Sequence, residues 1–197
     1  MAWQNRCVNL RIRVESPAQP LMSHCTNIVL VIEAKVIPVK MQNEEAEFKN
    51  AINLIVEDLK ANPDRQHRSV VVMSRGFGHI PGLARQKAFK NGRLARRTWL
   101  VPVQELFDLG VPLVLSAGNH AETLGRKEID NMPKIFQDED TPIINVGAAD
   151  FNGERGSFSQ YGQYLTLYAP GVDIEGMTRE DKKAQDTPVQ GTSVGKS

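Results

Sequence analysis

Short apolar runs alternate with helical segments along the middle of this 197-residue chain, and that alternation limits the fold more than any other feature. Glu44 to Lys60 reads as a helix. Phe48, Ala51, Ile52, Ile55 and Leu59 recur at helical spacing, and Glu44, Glu45 and Glu47 fall where the helix dipole favours acids. Asn62-Pro63 stops it, and Ser69 to Ser74 reads as a buried strand. Pro102 opens a second helix to about Leu109, with Gly110 as its stop. Val111-Pro112-Leu113-Val114-Leu115 and Pro142 to Ala148 read as further core strands. Repetition of strand and helix requires parallel strands joined by right-handed crossovers. The expected fold class is α/β: three layers, with a mainly parallel sheet and helices on both faces.

In such sheets functional loops gather outside the carboxyl ends of the strands. Ser116-Ala117-Gly118-Asn119 follows one strand and Ser74-Arg75-Gly76 ends another. A side-chain amide at a strand end can face a cleft as an oxyanion donor. Gly191-Thr192-Ser193 places a serine in a tight Gly-led turn, the setting a nucleophile needs. The plainer alternatives are a turn-forming Asn119 and a helix-capping Ser193.

Five segments in order resemble the subtilisin-like serine peptidases (subtilases) of filamentous fungi. They are Val70 to Gly76, Val111 to Asn119, Pro142 to Ala148, Phe158-Ser159-Gln160-Tyr161-Gly162 with Leu167-Tyr168-Ala169-Pro170-Gly171, and Gly191-Thr192-Ser193. The resemblance implies serine endopeptidase activity on peptide or protein substrates, with no cofactor and no metal ligand assigned. It implies Ser193 as nucleophile and Asn119 in the oxyanion hole. Ser74, Arg75, Gly76, Ala117 and Gly118 would line the substrate. Residues 1–35 are expected to be an unmatched segment and 36–197 a partial peptidase domain, truncated at both ends.

Two family motifs are missing. The family takes its triad aspartate from "D-[ST]-G" and its histidine from "H-G-T-H", and neither run occurs. The first aspartate is Asp58, inside the first helix. His24, followed by Cys25 and Thr26, is the one vestige of the histidine motif and the candidate base. His67, His79 and His120 read as surface residues. After Ser193 the family continues through a buried helix, where this chain has Val194-Gly195-Lys196-Ser197. The expectation is a chain inactive as it stands, a piece of a subtilase. The alternative is a non-catalytic peptide-binding module of the same fold.

Composition excludes little and suggests no other partner. Net charge is +1, so nothing global points to nucleic acid or a membrane. No apolar run is long enough to span a bilayer, and no secretory leader is read at the N-terminus. Localisation stays open. Val8 to Val14 alternates like one half-buried strand, and Ile28 to Lys40 reads as a strand or two. Cys7 and Cys25 read as incidental thiols. Phe77 to Leu100 holds six cations and no acid; without interleaved aromatics it reads as a solvated insertion rather than a nucleic-acid patch. Gly191 to Ser197 mimics a phosphate-binding loop, but the position four before Gly195 is Gln190, not glycine. The sedolisin peptidases share Gly-Thr-Ser but carry an aspartate where this chain has Asn119.

Overall fold

A computed structural model of the chain describes residues 35–41, 45–176 and 187–194. The strand expected over Val8–Val14, Cys7, Cys25, His24 and the Gly195-Lys196-Ser197 end lie outside these residues.

The helix α1 (Glu45–Ala61) forms where its apolar spacing predicts. Phe48, Ala51, Ile52, Ile55, Val56 and Leu59 are all buried along it. Four parallel strands follow: β1 (Val71–Met73), β2 (Leu113–Ser116), β3 (Ile144–Ala149) and β4 (Leu167–Pro170). They lie in the order β1-β2-β3-β4. Val71 pairs with Leu113, Val114 with Ile144, and Val146 with Leu167. A separate antiparallel pair joins β5 (Ile174–Gly176) to β6 (Thr187–Val189). Parallel strands packed with helices are the α/β class that the alternation predicts.

Two local expectations need correction. Residues 35–40 form no strand. Pro38 has no N–H to give a ladder, so only Ile37 and Val39 pack on the core while Val36 stays exposed. The second helix starts well before Pro102. It runs through α3 (Arg93–Ala95), a π turn (Arg96–Leu100) and α4 (Val101–Asp108). In a regular α-helix the Pro102 ring would strike the carbonyl of Thr98. The wider π turn encloses Thr98 and lets the helix pass. This buries Trp99, whose ring centroid lies 5.0 Å from Phe48 and 5.4 Å from Phe77. The stretch read as a solvated insertion is therefore only half exposed. Its first part, α2 (Leu83–Asn91), buries one residue, Gln86, which donates to the carbonyls of Ile80 and Ile129.

Candidate functional site

β2 ends at Ser116, and Ala117 continues toward β3 by donating its N–H to the Val146 carbonyl at 2.7 Å. Gly118 then turns with φ +121°, which a side chain rarely tolerates. A Cβ there would also fall on Gln160 Oε1. That turn swings the exposed Asn119 side chain across to Thr192. Thr192 donates twice to Asn119 Oδ1, from its N–H at 2.9 Å and its hydroxyl at 2.8 Å. The Gly118 N–H in turn donates to Thr192 Oγ1 at 3.1 Å. With the amide oxygen held on both sides, the Asn119 NH₂ is the end left to face the cleft.

Ser193 sits at that end. A Cβ built on Gly191 would lie 3.2 Å from Asn119 Nδ2 and 3.2 Å from Ser193 Oγ. The two groups therefore flank one small space. The turn is closed by the Val194 N–H donating to the Gly191 carbonyl, and it is tied to the sheet by the Gly191 N–H donating to the Gly171 carbonyl at 2.8 Å. The structure thus brings Asn119, Thr192 and Ser193 together from two segments more than seventy residues apart. The Gly-Thr-Ser run contains Thr192, but nothing in the sequence gives its bonds to Asn119. Thr192→Val keeps the shape and removes both hydroxyl bonds. It is expected to cost about 1–3 kcal/mol, read from the urea midpoint. An unchanged midpoint would mean that those bonds are not formed.

The remaining substrate-lining candidates lie at the carboxyl end of β1. Pairing with β2 ends at Met73, one residue before the expected strand end, Ser74. Pairing resumes at Phe77, which exchanges two backbone hydrogen bonds with Met132, each 2.9 Å. Ser74, Arg75 and Gly76 span the interval. Arg75 lies over the Phe77 ring, 5.4 Å from its centroid. Gly76 rests on Asn131, since a Cβ there would approach the Asn131 side chain to 2.6 Å.

Charged groups collect near His120. Asp130, nearly buried, accepts from Arg126 Nε at 2.7 Å, Arg126 Nη2 at 3.0 Å and Gln160 Nε2 at 3.2 Å. His79 Nδ1 lies 2.7 Å from Asp130 Oδ2. Burial alone would raise the Asp130 carboxyl. The bonds from Arg126 and Gln160, with the Arg126 and His79 charges, outweigh it and hold the carboxyl below its ordinary value. His79, read as a plain surface residue, is thus docked on a buried acid. His120 is exposed as expected. Partial desolvation first, then Arg126, lower its imidazole below the usual value. Lys134 is the group that sequence reasoning missed. It is 2% exposed, and its ammonium reaches one acceptor, the Ala117 carbonyl, at 3.5 Å. A lone lysine beside Pro133 carries no sequence signal of burial. Among the described residues no hydrogen bond joins Ser193 Oγ to a histidine.

No protein-family model matches the chain. Individual proteins do. A stretch of 92 residues is 34% identical to subtilisin-like protease 2 of Pseudogymnoascus destructans, covering 47% of this chain and 21% of that protein. Subtilisin-like proteinase Mp1 of Magnaporthiopsis poae is 27% identical over 79% of this chain and 32% of its own length. Alkaline protease 1 of Aspergillus flavus is 26% identical over 82% and 35%. The chain therefore spans between a fifth and about a third of these relatives. Among solved structures, the prenylagaramide maturation protease PagA superposes with TM-score 0.51 at 20% identity, over 83% of this chain and 48% of that one. A cold-adapted subtilisin-like serine proteinase gives 0.50 at 19%, over 78% and 44%. At that identity these structures establish the fold alone. No helix among the described residues is long and apolar enough to cross a membrane. The relatives are proteases by their names. By sequence the chain is similar to fungal subtilisin-like proteases, and its fold is that of the subtilisin-like serine proteinases.

Proposed function

We propose that the cleft formed by Asn119, Thr192 and Ser193 is the nucleophile and oxyanion half of a serine endopeptidase site. Ser193 Oγ attacks the scissile carbonyl of a peptide. The Asn119 NH₂ and the Ser193 N–H hold the oxygen as it gains charge. Thr192 is a positioning residue, because it fixes which end of the Asn119 amide faces the reacting atom. The observation that carries this reading is the shared space between Asn119 Nδ2 and Ser193 Oγ. A serine hydroxyl is a weak nucleophile until a base takes its proton. The aspartate and histidine motifs of the family are absent from this sequence, His79 is engaged by Asp130, and His24 lies outside the described residues. The chain as given is therefore proposed to bind peptides without cutting them at a useful rate.

A second reading, a non-catalytic peptide-binding module, has its own support. Among the described residues β1 is an edge strand, and its pairing stops just before Ser74. Extended peptides bind by adding a strand to such an edge. Ala117 and Gly118 would form the other wall. One experiment separates the readings. The chain is titrated with an extended peptide, and the mixture is then followed by mass spectrometry, with Ser193→Ala alongside. Slow cleavage lost in Ser193→Ala supports a residual peptidase site. Binding without cleavage, unchanged in Ser193→Ala, favours the module. Absence of binding defeats both.

A further inference from the structure

A cleft of about 890 Å³ opens at the other end of the sheet, and the peptidase reading makes no use of it. Its lining includes Ile144, the first residue of β3, whereas Ala117 to Asn119 lie beyond the last residue of β2. β2 and β3 are parallel, so the two sites sit at opposite strand ends. One wall of the cleft is the basic stretch that the fold left exposed. Lys87 and Lys90 on α2 and Arg96 on the π turn all line it. Lys90 is occupied. Its ammonium pairs with Asp138 at 3.3 Å and lies 5.4 Å from the Tyr164 ring centroid. Lys87 and Arg96 are exposed and have no ion pair among the described residues.

We propose that this cleft is a binding site for an acidic peptide segment, whose carboxylates meet Lys87 and Arg96. The volume falls within the range of ligand pockets. Three of the six cations between Phe77 and Leu100 line the cleft, and two of them, Lys87 and Arg96, are left to meet a ligand's acids. The acids in the lining argue for peptide over nucleic acid. Asp138 and Glu139 are among its residues, and a phosphate chain following the cleft would run against both. A peptide avoids that conflict, because its charges sit on separate side chains and its backbone is neutral. Gln163, also in the lining, offers an amide that can both donate to and accept from that backbone. The inference does not depend on the peptidase reading, since it shares no residue with the Asn119–Ser193 cleft.

The test is fluorescence anisotropy on the full chain with a labelled ten-residue polyglutamate, against polylysine and oligothymidylate of equal length. Circular dichroism checks that each variant is folded. Polyglutamate is expected to bind at low salt and weaken as salt rises, because exposed charges are screened over about 10 Å at 0.1 M. Lys87→Glu with Arg96→Glu is expected to weaken it at least about tenfold. Lys87→Gln with Arg96→Gln is expected to give a smaller loss in the same direction, and serves if the reversal does not fold. Absence of polyglutamate binding, or binding indifferent to both double variants, would overturn the proposal. Tighter binding of oligothymidylate with the same dependence on residues 87 and 96 would overturn it in favour of nucleic acid.

Discussion

Lys134→Met is expected to stabilise the fold at pH 6 by an amount on the order of a few kcal/mol, and the gain is expected to vanish toward pH 10. Lys134 is buried beneath Ala117, with one acceptor at 3.5 Å. Burial pushes its ammonium down to about 7 from the ordinary 10.5, with Asp130 opposing that fall and Arg126 adding to it. Between those two values the unfolded lysine holds a proton that the folded one has released. The unfolded state then binds more protons, so stability rises with pH across the window. Below about 7 the native lysine is charged in the interior and the full penalty applies. Methionine fills a similar volume with no charge to bury. Urea unfolding of both proteins at pH 6 and pH 10 reads the difference. An equal gap at the two pH values, or a methionine variant less stable at pH 6, would show that the ammonium is comfortably solvated.

The same residue marks the limit of what the sequence discloses. Helix α1 and strands β2 and β3 are legible because their burial follows local periodicity: apolar residues at helical spacing from Phe48 to Leu59, and unbroken apolar runs at Val111 and Ile143. Asn119 and Ser193 are legible as candidates because each stands in a Gly turn at the end of an element. Their juxtaposition is not, since it rests on Thr192 bonding across 73 residues. The helix through Pro102 is hidden for a different reason. Proline at the start of a helix is the commoner arrangement, and only the packing of Trp99 against Phe48 and Phe77 favours carrying the helix past it through a π turn. Asp130 gathers Arg126, Gln160 and His79 from three segments. Only the Arg126 spacing, four residues away, is visible in sequence.

Peptide turnover by this chain is expected to lie about 10⁶-fold below that of a complete serine, histidine and aspartate set, a figure that comes from removing the histidine in subtilisin itself. Roughly 10³–10⁴ over the uncatalysed reaction is expected to remain, supplied by the oxyanion donors and by binding. In the proposed site those donors are Asn119 and the Ser193 N–H. Asn119→Ala should therefore remove most of the residual rate, about 10²–10³ of it, while Ser193→Ala removes the covalent route.

The rate of Ser193 labelling by a fluorophosphonate, measured from pH 6 to pH 10 on the folded chain, tests most directly the proposal that no base serves Ser193. Without a general base the serine reacts only through its own ionisation. The rate should then be slow at pH 7 and climb about tenfold per pH unit with no plateau near the histidine range. Ser193→Ala should abolish it. Rapid stoichiometric labelling at pH 7 that levels off above the histidine range would contradict this. His24→Ala, His79→Ala and His120→Ala would then name the histidine that serves Ser193.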